Sequence, residues 1–469
     1  MPQRHLSHPE FGTVPTPGSL AGTRGPTTTN ARKAALAAFL GSMLEYYDFF
    51  VYGLTAALVF PTLFFQVDDP TVATVLSLSS FGIAYVARPL GAFVLGHFGD
   101  RIGRKKVMVF TLLLMGVASL AIGFLPTYHQ VGALAPILLV VLRLAQGFSA
   151  GGEAAGASTL TLEHSPRGRR AFFTSFAMSG FAGGMVLANI VFLPVAALPD
   201  EALYSWGWRV PFWVSVLVIA VAYVVRRRLD ETPVFVAEQE KEAVAAVPVV
   251  ELFHRQGSDV VRVMAISLFS VFQSLFAVWS LSYASSDAVG LDRSAMLWVS
   301  VAANATAVIA LPAMAALSDR VGRRPVWIVG AVGCTLLLPL YLWAISAGSY
   351  PLVFVTGVLF AGVVYSAVNG LWPAFFSETF AAPVRYSGFA IGSQFGFLIG
   401  GFAPAIAAGL AGDGPWGWLP VAVLAGGCGL VSAIAMATAR ETYRTPLDEL
   451  GLRRRPSEPT PAPETAMAR

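Results

Sequence analysis

Five charged side chains sit where an apolar chain can least hold them. Glu45, Asp48, Arg88, Arg143 and Glu153 all fall inside long hydrophobic runs. A charge in hydrocarbon costs at least about 2.5–3.5 kcal/mol, so each is a functional candidate by default. Glu45 and Asp48 lie at i and i+3 with Tyr52 four further on, which puts all three on one face of a helix. Two carboxylates sharing a low-dielectric site do not both ionise readily, and one of them then holds a proton near neutral pH. Asp48, Glu45 and Glu153 are therefore the candidate proton sites. The alternative is permanent pairing of the carboxylates with Arg88 and Arg143 as structural glue. A guanidinium keeps its charge, so both arginines need acceptor oxygens, from the protein or from a bound ligand. Arg88 lies roughly 18 Å along a helix from Asp100, too deep to snorkel. Arg143 lies about 15 Å before Glu153 on one helix. With one carboxylate protonated the five groups sum to zero. An arriving carboxylate is then expected to compete with Asp48, Glu45 or Glu153 for a guanidinium fork.

Other polar residues in apolar surroundings are weaker candidates. Gln146 follows Arg143 by one helical turn, and Arg209 follows the aromatic pair Trp206 and Trp208. Arg209 suits an interfacial anchor or an anion contact at a cavity mouth. Gln273, Asn304, Asn369 and Gln394 could bind a ligand or bond helix to helix. Tyr47 and Trp372 offer aromatic faces to a cationic group. Two motif matches are decoys. Gly147-Phe148-Ser149-Ala150-Gly151 fits a nucleophile elbow but has no preceding strand, so its small residues read as helix packing points. Asn304-Ala305-Thr306 fits a glycosylation acceptor but lies inside an apolar run.

The elements that must position these residues are membrane helices. The chain has 469 residues, 55% hydrophobic and 12% charged, about half the charge of soluble domains. Runs long enough to cross a bilayer occur at 35–60, 73–97, 106–125, 133–162, 171–196, 208–226, 260–284, 294–316, 325–347, 350–377, 386–411 and 417–439. All 31 Lys and Arg residues except Arg88, Arg143, Arg209 and Arg293 fall on one side of that pattern, which puts both termini in the cytoplasm. The net charge of +4 is thus a topology signal, and no basic stripe for a nucleic acid accompanies it. The expected organisation is a disordered N-terminus over 1–33 and a six-helix half over 34–226. A cytoplasmic loop over 227–259, a second six-helix half over 260–439 and a disordered tail over 440–469 follow. Residues 1–30 lack an apolar core, so no cleavable signal peptide is expected. Cys334 and Cys428 read as buried thiols.

The two halves repeat one another. Asp100-Arg101-Ile102-Gly103-Arg104-Lys105 recurs as Asp319-Arg320-Val321-Gly322-Arg323-Arg324. Glu163 and Arg170 recur, at nearly the same offset, as Glu378 and Arg385. Gly96 through Lys105 resembles the loop signature of the major facilitator superfamily. Asp and Arg at helix ends can pair across helices and latch two halves together, or the basic residues can serve as topology determinants alone. The candidate latch comprises Gly96, Asp100, Arg101, Gly103, Arg104, Glu163, Arg170, Asp319, Arg320, Arg323, Glu378 and Arg385.

A narrower resemblance follows from Glu45-Tyr46-Tyr47-Asp48-Phe49, Arg88-Pro89-Leu90-Gly91, the run Arg143 to Glu153, Trp206 to Phe212 and Glu231-Thr232-Pro233. These look like the metabolite:proton symporter family, over essentially 35–440. The resemblance implies an all-α major facilitator fold of 12 transmembrane helices in two pseudo-symmetric six-helix halves. It implies proton-coupled symport of a small carboxylate-bearing metabolite, or of a zwitterion such as proline or betaine, by alternating access in the inner membrane. Protons are the coupling ion and no cofactor is expected; the lipid bilayer and the small-molecule substrate are the partners, and the protein is expected to act as a monomer. Ser179-Gly180-Phe181-Ala182-Gly183-Gly184 lacks the Pro of the antiporter signature, which favours symport. A membrane sensor that kept the fold without transport is the alternative. No phosphate-cradling loop supports an ATP-driven pump, and the embedded residues hold no constellation for an enzyme.

Overall fold

Apolar length dictates the architecture, since a backbone in lipid must satisfy its own hydrogen bonds and helices do so locally. The computed structural model describes residues 28–227 and 248–451 apart from 103, 152, 413 and 448. The side chains of Gly96 to Ile102, Arg104 to Lys106 and Glu153 also lie outside the described residues. The first copy of the expected latch and one candidate proton site, Glu153, therefore receive no geometry here.

In the first half the helices are α1 (Thr28–Leu58), α2 (Pro70–Ile102), α3 (Arg104–Ile122), α4 (Leu134–Glu163), α5 (Arg170–Ala196) and α6 (Val210–Arg227). In the second they are α7 (Gln256–Ala284), α8 (Arg293–Val321), α9 (Arg323–Ser346), α10 (Tyr350–Thr379), α11 (Arg385–Leu410) and α12 (Leu419–Ala437). Among the described residues, 10 of these are long and apolar enough to cross a membrane. The two others are α3 and α6. The basic start of α3 leaves Val109–Ile122 as its apolar stretch, and α6 ends in arginine at the edge of the described chain. Large apolar side chains such as Phe93, Leu217, Ile309, Val329 and Val423 point outward, a surface that suits acyl chains.

The packing repeats as the sequence does. In the first half α1 packs on α5, α2 on α4 and α3 on α6; in the second α7 packs on α11, α8 on α10 and α9 on α12. The halves meet through α2 against α11 and α5 against α8, which are again equivalent pairs. Gly147 explains one such contact. A Cβ there would overlap the Ala84 carbonyl oxygen of α2, and one on Gly91 would overlap the Phe148 carbonyl oxygen of α4. The small residues of the 147–151 run are packing points, as expected.

Three boundaries differ from the sequence reading. Helix α1 already begins at Thr28, inside the stretch expected to be disordered. A helix starts again at Pro248 and kinks at Gln256, inside the expected loop; residues 228–247 of that loop lie outside the described residues. Residues 440–451, expected as loose tail, are tied to the protein, because the first turn of α9 needs acceptors for its N–H groups. Glu441 supplies them, accepting from Arg323 N at 2.9 Å and Arg324 N at 3.0 Å. Leu450 is buried at the end of the same segment.

Candidate functional site

The face of α1 that carries Asp48 also carries Phe49 and Tyr52, and the two deep arginines converge on these rings. The Arg143 guanidinium lies 4.0 Å from the Tyr52 centroid and 4.2 Å from that of Phe49. Arg88 lies 4.7 Å from the same Phe49 ring and 4.3 Å from Tyr85. Tyr46 lies beside Arg88. Arg143 donates to Gln146 Oε1 at 2.9 Å and to the Phe81 carbonyl at 3.2 Å. Arg88 Nε and Arg143 Nε are buried without a partner among the described residues. Among the described residues neither arginine forms an ion pair with a carboxylate. Aromatic faces hold a cation in an apolar site without neutralising it, so guanidinium edges remain for an anion.

The Asp48 carboxylate itself pairs with neither arginine. It accepts a hydrogen bond from Ser215 of α6, with the Ser119 hydroxyl of α3 beside it. Direct competition between Asp48 and a ligand for a guanidinium, expected from charge counting, is therefore not how these groups are arranged. The connection runs through Gln146, whose Nε2 donates to Ser119 Oγ at 2.7 Å.

The other candidates disperse. Tyr47 donates to the Pro211 carbonyl at 2.8 Å and ties α1 to α6, so its hydroxyl turns away from the arginines. Arg209 donates to the Gly123 and Leu125 carbonyls at 3.0 and 2.8 Å and lies over Trp208, closing the end of α3. That is the anchor arrangement rather than a mouth contact. Gln273 reaches Met185 Sδ across the halves at 2.9 Å. Trp372 donates to Asn369 at 3.1 Å and packs among Phe376, Phe389 and Phe397. Asn304 bonds back to Ser300. Gln394 Oε1 is buried without a partner among the described residues. A small cavity between the halves is walled mainly by apolar side chains such as Leu54, Phe276 and Met296, with Asn189, Ser280, Ser300 and Tyr341 as its polar groups.

Sequence reasoning missed Phe49, Tyr46, Phe81, Tyr85, Ser119 and Ser215. Tyr85 had a signal, lying one turn before Arg88. A lone serine in an apolar helix has none, because serine there usually bonds its own backbone.

At the end of the molecule where the basic loops cluster, the second copy of the repeated motif joins the halves. Asp319 of α8 pairs with Arg323 at 2.7 Å and accepts from Ala171 N at 3.2 Å and Phe172 N at 3.0 Å at the start of α5. Arg323 makes a fork to Glu378, Nη2 to Oε1 at 3.0 Å and Nε to Oε2 at 3.1 Å. Arg170 lies 3.7 Å from Glu378, and Arg385 pairs with Glu163 at 3.2 Å. Thr442 donates to Glu378 at 2.6 Å, and the Thr445 carbonyl accepts from Arg170 at 2.9 Å. Arg320 is exposed and outside this network. At the opposite end the exposed pair Arg293 with Asp200 links the halves and contributes little.

Glu378 is fully buried between two arginines and a hydroxyl, so Glu378→Gln leaves Arg323 undercompensated at a cost of about 3 kcal/mol. The expected result is a shift toward the state opened at this end. Thr174→Cys, buried at that seam, should label at least about tenfold faster in the Glu378→Gln background. An unchanged labelling rate would reduce the network to static packing.

The fold and its centre define a polytopic helical carrier: two equivalent six-helix bundles enclosing buried cations, joined at one end by an ion-pair network. The description Major Facilitator Superfamily matches residues 38–392 and 264–466. The chain is 35% identical over 440 residues to the shikimate transporter of Escherichia coli K12, covering 92% of this chain and 99% of the relative. It is 35% identical to the inner membrane metabolite transport protein YhjE of the same organism, over 82% of this chain and 89% of the relative. It is 31% identical to the E. coli K12 proline/betaine transporter, over 89% and 85%. The solved proton:xylose symporter XylE of 18% identity superposes with a TM-score of 0.68 over 90% of this chain and 98% of that one, a likeness of fold. The chain belongs to the Major Facilitator Superfamily. It is a multi-pass membrane transporter of small molecules and not an enzyme.

Proposed function

We propose that this transporter takes up a small carboxylate-bearing metabolite, or a zwitterion such as proline or betaine, in symport with a proton by alternating access. One observation carries the reading: two buried guanidiniums, stacked on one phenylalanine ring, stand without carboxylate partners among the described residues. A carboxylate has the charge and the two oxygens to complete such a site. Tyr365 of α10 comes near Tyr46 and Tyr85, so the second half has an aromatic face to offer the rest of the substrate. Asp48, buried beside this centre and held by neutral hydroxyls, is the leading proton site, with Glu45 and Glu153 behind it.

Purified protein in liposomes with an imposed pH gradient, acidic outside, tests this with shikimate, proline and betaine as probes. Coupling to one proton predicts accumulation of at least one probe up to about tenfold per pH unit. No accumulation of any probe, or accumulation indifferent to the gradient, would overturn the proposal.

The basic loops support placing both termini and the 227–259 segment on the cytoplasmic side of the inner membrane. In a background without Cys334 and Cys428, Asp68→Cys should label only from outside and Glu240→Cys only from inside. Labelling of both from one side would reject that orientation.

A further inference from the structure

Four polar groups at the centre line up across three helices, and the two hydrogen bonds among the first three have a defined direction. Arg143 donates to Gln146 Oε1 at 2.9 Å, and Gln146 Nε2 donates to Ser119 Oγ at 2.7 Å. Ser119 in turn lies beside the Asp48 carboxylate, which has only acceptors to offer when ionised, so in that contact the serine hydroxyl is the donor. Arg143, Gln146 and Ser119 are fully buried and Asp48 is 3% exposed, so water does not short-circuit the chain. The titratable groups beside Asp48 among the described residues are Glu45 and Tyr47, both on its own helix. The elements packed against it present the hydroxyls of Ser119 and Ser215 and the amide of Gln146.

We propose that Gln146 and Ser119 are positioning residues that couple the charge state of Asp48 to anion binding at Arg143. The inference rests on the symport reading and specifies how its two sites communicate. A guanidinium donating to the Gln146 carbonyl polarises the amide, which strengthens its donation to Ser119 and the donation of Ser119 to Asp48. The cation at Arg143 thereby supports the anion at Asp48 without touching it. When a substrate carboxylate docks on Arg143, its oxygens compete with Gln146 for the guanidinium hydrogens and the chain slackens. Asp48 then loses support for its charge and takes up one proton from water, going from a carboxylate to a neutral acid. Substrate and proton therefore favour each other's binding, and by reciprocity each raises the other's affinity by the same factor. A chain of neutral hydrogen bonds does this without the desolvated ion pair that direct contact would require.

The test separates the chain from local packing. In purified protein in lipid nanodiscs, the Asp48 carboxyl band is identified by infrared spectroscopy as the one lost in Asp48→Asn, and is followed through a pH titration without substrate. Gln146→Leu does not touch Asp48, yet it should move that band's midpoint toward higher pH, a change in proton affinity of roughly three- to tenfold. Ser119→Ala should move it the same way. The double variant should move it no further than Ser119→Ala alone, because links in series fail together. Ser119→Thr keeps the hydroxyl and should restore the wild-type midpoint, which guards against a misfolded alanine variant. A second arm measures shikimate affinity at one mildly acidic and one mildly alkaline pH. The wild-type ratio, expected at roughly tenfold in favour of acid, should fall below about twofold in Gln146→Leu. An unchanged midpoint in Gln146→Leu, or additive shifts in the double variant, overturns the proposal. A shifted, non-additive midpoint in a protein that neither binds nor carries shikimate, proline or betaine would leave the relay standing and sink the symport reading.

Discussion

Replacing Asp48 with Asn is expected to abolish accumulation against a gradient while leaving substrate exchange across the membrane. Asn has the shape of a protonated Asp and cannot release a proton, so the carrier behaves as if permanently loaded. Ser215 and Ser119 can still bond the amide oxygen, so the packing around position 48 survives. Uptake driven by a one-unit pH gradient should fall from up to about tenfold accumulation to equilibration. Counterflow of labelled against unlabelled substrate should persist, and its pH dependence should disappear. The two assays in one proteoliposome preparation decide the matter. Retained accumulation with the wild-type pH profile would move coupling to Glu45 or Glu153, and the loss of both accumulation and counterflow would make Asp48 a structural residue.

The other large effect is expected at Arg143. Arg143→Lys keeps the positive charge but loses the planar fork, the second donor to the Phe81 carbonyl and the stacking against Phe49 and Tyr52. An ammonium makes a point contact with a carboxylate where a guanidinium makes two parallel bonds. A fall in carboxylate affinity of about 100-fold, or roughly 2.7 kcal/mol, is expected in calorimetry on purified protein. Thermal unfolding of the same variant separates this from loss of fold, since α4 is held to α2 by glycine contacts as well. Affinity within a factor of about two of wild type would remove Arg143 from the site and leave it as glue between α2 and α4.

Both predictions concern residues legible in the sequence, because burying a charge in a membrane helix is expensive enough to mark it by itself. Asp48, Arg88 and Arg143 stood out from their apolar surroundings, and the periodicity of helix α1 put Asp48 near Tyr52. The helices were legible for the same reason: hydropathy and length are local properties of the chain, and the bilayer permits few alternatives. Asp319, Arg323, Glu378 and Arg170 stood out through the internal repeats, and the folded chain joins them in one network. The tertiary structure then decided that this network also takes in Thr442 and Thr445 of the segment read as a loose tail. Hydropathy carries no record of a short polar strap whose binding surface is made by other helices.

The partners of each charge were decided only by the tertiary structure. Charge counting set Asp48 against Arg88 or Arg143, since opposite charges at similar depth suggest pairing. The folded protein instead gives the arginines to Phe49, Tyr52, Phe81 and Tyr85, and gives Asp48 to two serines. Rotation of each helix about its axis sets which side chains meet, and close contacts such as that of Gly147 with the Ala84 carbonyl fix that rotation. Depth along a helix is written in the sequence. Direction around it emerges only when the helices pack, and that direction placed Ser119 and Gln146 between a carboxylate and a guanidinium.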